Sequence, residues 1–190
     1  MKICDLVNAP QWLKNAKTEN EDVEISEVGH VTWIEGTWLE GTWRGGAWRG
    51  GTWCGGTWCG GTWIGGTWRG GTWREGTWLE GTWCGGTWIG GTWREGTWRG
   101  GIIKGKKAVA MRSYVGLYRY CVMAVLYANG ERVVRMGCLF KSLKQWKEKG
   151  GIRKSNLLEF PDDGSDKSEE RVAAFGFAKA AALRLKAPNA

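Results

Sequence analysis

The chain has 190 residues, of which 42% are hydrophobic, and it holds 16 tryptophans and 32 glycines. This length and apolar content suffice to bury the core of one compact domain or of two small ones. The net charge of +8 is unevenly placed, because residues 1–30 carry −3, residues 31–103 carry +1 and residues 104–190 carry +10. The six cysteines form no CxxC pair and no spacing typical of a metal site, which favours free thiols in a reducing cytosol. Neither a signal peptide nor an apolar run of membrane-spanning length is apparent, so a cytoplasmic protein is predicted.

Residues 1–20 are predicted to form an N-terminal capping segment. Asn8 and Pro10 suit the start of a short helix, and Trp12 and Leu13 lie on one face of it. Repeat proteins need a cap over the exposed end of their core. We therefore expect this helix to cover the first coil of the segment that follows.

Residues 21–105 are organised around one five-residue unit, Gly-Thr-Trp-x-Gly/Glu. A tryptophan stands at every fifth residue from Trp33 to Trp98. Such a short, regular period predicts a chain that winds on itself, since each unit then has the same neighbours as the last. Val23 and Val28 stand ten and five residues before the first tryptophan, so the winding is predicted to begin near residue 21.

This unit resembles that of the pentapeptide-repeat family, although Gly replaces the family's small residue and Trp its central Leu or Phe. The resemblance implies a right-handed quadrilateral β-helix, a solenoid with a mainly β fold. The exchange roughly conserves the volume of each unit, which favours tryptophans that point inward. Each buried indole N–H would then need an acceptor, and the carbonyls of the corners are the expected ones. The alternative is an exposed aromatic surface able to stack bases or sugars.

Four units per coil would place residues twenty apart in one column. The predicted structural stack is Trp38, Trp58, Trp78 and Trp98. Two of the four sides would carry arginine without glutamate, and they contain Arg44, Arg49, Arg69 and Lys104. An arginine-bearing side is a candidate surface for phosphate or an acidic partner, and solvation of the rod is the alternative explanation.

Residues 106–190 are predicted to form a basic α+β module. Apolar residues from Leu117 to Tyr127, the turn signal Asn129-Gly130 and a return from Arg132 to Phe140 indicate a β-hairpin. Ser142 is expected to cap a short helix that contains Leu143 and Trp146.

A longer helix is predicted from about Ser168 to Lys186, ending before Pro188. Six apolar residues are expected to pack it on the hairpin: Ala173, Phe175, Phe177, Ala180, Ala181 and Leu185. The run from Met136 to Trp146 looks like a motif at the end of phage and prophage proteins with short β-solenoid repeats. With the lead-in from Asn8 to Leu13, it suggests a phage-encoded protein.

Catalytic chemistry is not indicated by the sequence. His30 is the single histidine, and no cysteine or serine lies in a nucleophile motif. The glycine-rich repeat lacks the Gly-Lys-Ser/Thr ending of a phosphate-binding loop. The cluster of Asp162, Asp163 and Asp166 lacks the spacing of a calcium-binding loop. We therefore expect a protein that is not an enzyme and that uses no cofactor or metal.

Three functions remain as hypotheses. The first is a rigid interaction protein that binds, and could inhibit, a defence or nucleic-acid-processing macromolecule of a host. The second is direct nucleic-acid binding through the basic module. The third is a structural rod akin to ice-binding solenoids, for which no thermal hysteresis is expected because the variable position does not repeat Thr. Homodimers are common in the resembling family, and the hairpin or the long helix could supply an interface.

The candidate partner-binding residues for the first hypothesis are Arg44, Arg49, Arg69, Lys104, Lys106, Lys107, Arg112, Lys144, Lys147, Arg153 and Lys154. For nucleic acid, Lys141 and Lys149 join the basic residues from Lys104 onward, with nearby Tyr114, Tyr118, Tyr120 and Trp146. DNA mimicry, which some proteins of the resembling family are thought to use, requires an acidic surface. It is disfavoured by a nearly neutral repeat.

Overall fold

A computed structural model describes residues 1–148 and 150–187. The chain divides into two compact units, Met1–Lys107 and Ala108–Ala190. Of the residues singled out in the sequence, Lys149 and Pro188 lie outside the described part.

The N-terminal segment begins the first unit. A 3-10 turn (Ile3–Asp5) and helix α1 (Gln11–Lys14) precede strand β1 (Lys17–Ile25), which pairs antiparallel with strand β2 (Val31–Glu40). Leu13 is fully buried, and the Trp12 ring meets the Trp43 ring edge to face at 5.1 Å. The predicted helical cap over the first coil is therefore confirmed.

The winding does not begin near residue 21. Val23 is buried and pairs with Trp33 across the two antiparallel strands, whereas Val28 lies in the connection between them and is 91% exposed. An antiparallel strand also places a valine beside an indole, so the five-residue spacing of the valines did not distinguish it from a further coil. The parallel winding starts with β2.

Each further unit contributes a two-residue Thr-Trp or Ala-Trp strand. These strands are β3 (Thr42–Trp43), β4 (Ala47–Trp48), β5 (Thr52–Trp53), β6 (Thr57–Trp58), β7 (Thr62–Trp63), β8 (Thr67–Trp68), β9 (Thr72–Trp73), β10 (Thr77–Trp78), β11 (Thr82–Trp83), β12 (Thr87–Trp88), β13 (Thr92–Trp93) and β14 (Thr97–Trp98). Strand β15 (Gly101–Ile103) ends the series, with Ile103 in the place of tryptophan.

The solenoid is confirmed, but it has three units per coil. Every parallel strand pair joins residues fifteen apart, as in Trp38 with Trp53 and Trp58 with Trp73. The predicted four-sided coil, with residues twenty apart in one column, is wrong. The size of the indole supplies the physical reason: three rings that meet edge to face already fill the cross-section, and a wider coil would leave a void.

Backbone hydrogen bonds join each coil to the one before it. In each unit the Thr N–H donates to a glycine carbonyl, and the variable residue's N–H donates to a tryptophan carbonyl, as in Thr67 to Gly51 (2.9 Å) and Arg69 to Trp53 (2.7 Å). The glycine before Thr turns the corner with φ near +100°; at Gly66 it is +108°. A Cβ there would lie 2.5 Å from the carbonyl oxygen of Gly51. Both the dihedral and the contact therefore require glycine.

The other corner position is much less restricted. A Cβ on Gly65 would lie 3.2 Å from the nearest atom, the Arg49 carbonyl oxygen, and Gly65 has no positive φ. This difference explains why the repeat accepts glutamate at its fifth position, as in Glu80, and never immediately before Thr.

The second unit has an antiparallel β-meander covered by a helix. Its strands are β16 (Lys106–Tyr114), β17 (Val122–Tyr127), β18 (Arg132–Met136) and β19 (Leu139–Ser142), paired in that order. The hairpin predicted around Asn129-Gly130 is confirmed as β17 and β18, although its first strand begins at Val122. Helix α2 (Leu143–Glu148) begins with the predicted cap: the Gln145 N–H donates to Ser142 Oγ at 3.1 Å, and the Ser142 N–H donates to Gln145 Oε1 at 2.9 Å.

Helix α3 (Asp166–Arg184) packs on β17 and β18, as expected, and three residues of the predicted set, Phe175, Ala181 and Leu185, contact the core. The buried apolar residues are Ala174, Ala178, Ala182 and Leu185, and the three small alanines allow the helix to lie close to the sheet. Ala173, Phe177 and Ala180, also expected in this interface, are exposed, Phe177 by 51% of its surface. The correction has a geometric cause, since residues 174, 178, 182 and 185 form one helical stripe and residue 177 lies about 100° from residue 178.

Candidate functional site: the outer sides of the solenoid

The interior of the solenoid is filled by stacked indoles. Tryptophans fifteen residues apart stack with ring centroids 4.6–5.3 Å apart, as in Trp33 with Trp48 and Trp83 with Trp98. Tryptophans five residues apart meet edge to face, for example at 5.9 Å between Trp53 and Trp58. The inward orientation is confirmed, because the indoles from Trp33 to Trp83 have no exposed surface. The predicted stack is corrected: Trp38 and Trp98 share a column, whereas Trp58 and Trp78 each lie in another.

From Trp33 to Trp88, the expected hydrogen bonds from the indoles to the corner carbonyls are absent. Twelve indole N–H groups, from Trp33 to Trp88, are buried without an acceptor. The corner carbonyls already accept backbone N–H groups of the next coil, as Gly51 does from Thr67. Each indole is instead surrounded by the aromatic faces and edges of its neighbours. The array is therefore stabilised by the burial of apolar surface and by contacts between the rings.

Because the indoles fill the interior, a partner can contact the solenoid only through the side chains on its outer sides. Each unit presents its Thr and its variable residue outward, and the threonines form columns along the three sides. We number the sides by their variable residues. The first side carries Ile34, Arg49, Ile64, Leu79 and Arg94; the second carries Leu39, Cys54, Arg69, Cys84 and Arg99; the third carries Arg44, Cys59, Arg74, Ile89 and Lys104.

The third side is the most basic of the three. It has three cations and one carboxylate, Glu75, whereas the first side has two cations and the three carboxylates Glu35, Glu80 and Glu95. Arg44, Arg74 and Lys104 are exposed, and within the described residues none of them forms an ion pair. They stand at every second coil, roughly 10 Å apart along the axis given the usual strand spacing.

The structure separates four candidate residues that the sequence had grouped on two sides. Arg44 and Lys104 share the third side, but Arg49 lies on the first and Arg69 on the second. Arg74, which was not among the candidates, lies between the two residues on the third side. Arg44 and Arg74 are thirty residues apart, which is twice the column spacing of fifteen. A predicted column spacing of fifteen in place of twenty would therefore have placed Arg74 on the same side as Arg44.

Several basic candidates of the second unit are already paired within it. Arg153 donates two hydrogen bonds to the Glu169 carboxylate, one of them at 2.7 Å, and also contacts Asp162 at 3.3 Å. These bonds hold the pKa of Glu169 below its usual range. Lys154 lies 3.2 Å from Asp162, and Lys144 lies 3.8 Å from Glu148. Lys106, Lys107, Arg112 and Lys147 are exposed.

Arg171 is a buried cation that the sequence analysis did not single out. It is 3% exposed and donates to the carbonyls of Ile152 and Ser155 and to Ser155 Oγ at 2.8–2.9 Å. Its guanidinium lies over the Phe160 ring at 4.8 Å, and burial lowers its pKa. The indication of a buried cation in the sequence was an arginine within the apolar stripe of α3. Arg171 fixes the segment before α3 and is a structural residue.

The described residues contain few other groups that could react or bind a ligand. A depression of about 250 Å³ in the first unit is lined by Trp12, His30 and Arg44 among others. The six cysteines are free, and no group of three or more potential metal ligands is found in residues 1–148 and 150–187. No helix in that part of the chain is long and apolar enough to cross a membrane.

Comparison with protein-family models, with curated proteins and with solved structures gave no match. The repeat of Thr and Trp at every fifth residue and the β-solenoid it forms are consistent with a pentapeptide-repeat-like fold.

Proposed function

We propose that the protein is a non-enzymatic interaction module whose solenoid offers its third side to an acidic macromolecular partner. In this proposal the chain is phage-encoded, as the motif from Met136 to Trp146 suggests, and the partner is a host protein or protein–nucleic-acid complex. The partner, a defence or nucleic-acid-processing macromolecule, would be inhibited if the bound side of the solenoid covers the partner's active or binding site.

The observation that carries the proposal is the column of Arg44, Arg74 and Lys104. These cations are exposed, have no ion pair in the described part of the chain, and are held on one side of the solenoid. The indole-filled interior fixes their spacing before any partner binds, and such preorganisation reduces the entropy lost on association. Threonines beside them, such as Thr57 and Thr72, add hydroxyl groups to the same surface.

The test is affinity capture from the lysate of the native host with two matched variants. The first combines Arg44→Gln, Arg74→Gln and Lys104→Gln. The second combines Arg49→Gln, Arg94→Gln and Arg99→Gln, which removes the same charge from the other two sides. The expected result is a specific partner held by the wild type and the second variant but lost by the first. Equal retention by both variants, or no specific partner at physiological salt, would contradict the proposal.

Nucleic-acid binding is the second candidate, supported by three exposed lysines close together in the sequence, Lys104, Lys106 and Lys107. The pairing of Arg153 and Lys154 with carboxylates reduces the positive surface available for it. A gel-shift series in salt separates the two, because phosphate neutralisation makes affinity fall linearly with salt on logarithmic axes. Weak, salt-insensitive retention would exclude this candidate.

A further inference from the structure

The third side of the solenoid has an open end at its first strand, β3, where the depression of about 250 Å³ lies. Three parts of the first unit line it: Trp12 of α1, His30 in the connection before β2, and the corner from Arg44 to Gly46. None of its described lining residues is acidic. The lining therefore offers the guanidinium of Arg44 and the imidazole of His30 without a competing carboxylate of its own.

The main-chain N–H of Arg44 has no acceptor within the described residues. From Arg49 to Arg99, the N–H of each variable residue donates to a tryptophan carbonyl of the coil before, as from Arg49 to Trp33 at 2.8 Å. Arg44 lacks such an acceptor because β3 is the end strand of its sheet. An unpaired main-chain donor beside a guanidinium favours an oxyanion as ligand, since hydrogen bonds to a charged acceptor are the strong ones.

The space beside this N–H is open. A Cβ on Gly45 would meet nothing within 4 Å, whereas a Cβ on Gly50, at the next corner, would lie 3.2 Å from the carbonyl oxygen of Ile34. Gly45 also lacks the positive φ of the corner glycines that precede threonine. A ligand group can therefore approach the corner at Gly45 without displacing main-chain atoms.

The rest of the lining is held in place by contacts of its own. The Ser26 N–H donates to the His30 carbonyl at 3.0 Å, and the His30 N–H donates to Ser26 Oγ at 3.1 Å. The Trp12 ring meets the Trp43 ring edge to face at 5.1 Å. These contacts order the depression before a ligand binds, which reduces the entropy lost on association.

We propose that this depression binds a carboxylate group on an extended peptide segment of the partner. The guanidinium and the main-chain N–H of Arg44 both donate to the carboxylate, while His30 and Trp12 enclose the adjoining atoms. This inference rests on the proposed function and specifies what is recognised there: an acidic segment anchored at Arg44 continues along the third side past Arg74 and Lys104. The carboxylate belongs to a side chain or to a peptide C-terminus, because both present the same two acceptor oxygens.

The experiment is an NMR titration of the full isotope-labelled chain with three tripeptides at millimolar concentration. Acetyl-Gly-Gly-Asp-amide has only a side-chain carboxylate, acetyl-Gly-Gly-Gly has only a C-terminal carboxylate, and acetyl-Gly-Gly-Asn-amide has neither. A bound carboxylate should move the Arg44 amide proton downfield and shift the Trp12 indole N–H along the same saturation curve. The Asn peptide should leave both signals in place, and the carboxylate peptide that binds identifies the source of the group.

Two pairs of variants locate the site. Arg44→Gln should weaken binding about fivefold, the size of an exposed ion pair, whereas Arg49→Gln should have no effect, because Arg49 lies on another side and its N–H is paired. Gly45→Leu places a side chain in the depression and should abolish binding. Gly60→Leu is its matched control, since it is at the same corner one coil along and is equally open to a Cβ. Unchanged amide signals away from the corner show that each variant is folded.

No movement of the Arg44 amide, equal movement with the Asn peptide, or undiminished binding to the Gly45→Leu variant would each overturn the carboxylate site. These outcomes do not depend on capture from a lysate. Retention of a host partner by the combined Arg44, Arg74 and Lys104 variant would contradict the proposed function even where the tripeptides bind. Loss of that partner without tripeptide binding would contradict the carboxylate site alone.

Discussion

The indole of Trp58 stacks on that of Trp73 with their ring centroids 4.8 Å apart and their planes within 7° of parallel. This spacing equals the usual distance between neighbouring strands, so backbone hydrogen bonding and ring stacking are satisfied by one repeat distance. Because the strand spacing matches the stacking distance, the same ring contact recurs along each of the three columns. The interior is therefore filled by continuous stacks of indoles.

The tryptophan emission should be blue-shifted and resistant to iodide. The indoles from Trp33 to Trp83 have no exposed surface and no polar partner for their N–H groups, which places them in an apolar medium. The accessible fraction should come from Trp12 and Trp98, which are only partly buried. The combined variant Trp12→Phe and Trp98→Phe should lose most of the residual quenching. Red-shifted emission that iodide quenches readily would contradict the buried array.

Gly66→Ala should destabilise the solenoid by roughly 3 kcal/mol or more. The new Cβ would lie 2.5 Å from the Gly51 carbonyl oxygen at a φ of +108°. Gly65→Ala is the matched control, because its Cβ would keep a 3.2 Å separation at a dihedral that alanine tolerates. It should change the free energy of unfolding by less than about 1 kcal/mol. Urea unfolding followed by tryptophan emission measures both, and equal midpoints for the two variants would refute the role assigned to the corner glycine.

Arg171→Met should destabilise the second unit by about 3 kcal/mol. Methionine fills part of the space but leaves the Ile152 and Ser155 carbonyls without the donors that now reach them at 2.8–2.9 Å. Lys179→Met, on the exposed part of α3, should be nearly neutral. Limited proteolysis should cut the segment from 152 to 160 faster in the Arg171 variant only. Unchanged cleavage there would show that the guanidinium does not hold this segment.

Two tyrosines should ionise late in an alkaline titration. Burial raises the pKa of Tyr118 and of Tyr127 to about 12, from an ordinary value near 10. The unfolded chain then loses these protons more readily than the folded one, so stability is full below pH 10 and falls as the pH rises from about 10 to 12.

The measurement for these tyrosines is the phenolate absorbance as a function of pH. Tyr127→Phe should remove one late-ionising tyrosine and leave the rest of the curve in place. Ionisation of all four tyrosines near pH 10 while the protein remains folded would show that Tyr118 and Tyr127 are not shielded from water.

Much of the fold could be predicted because its causes are periodic or local. A tryptophan at every fifth residue requires a winding chain, and near-constant volume per unit places the indoles inside. Asn129-Gly130 specifies a tight turn between two apolar runs, and Ser142 with Gln145 specifies a helix start, whatever the rest of the molecule does.

Other features depended on contacts between distant parts of the chain. A five-residue unit defines the repeat but leaves open how many units close a coil; the packing of three indoles per layer decided that number. The same choice placed Arg44, Arg74 and Lys104 on one side and moved Arg49 and Arg69 to the others. The face of α3 that meets the sheet was likewise decided by how closely the helix could approach. Small alanines allowed contact there, and Phe177 was left outside.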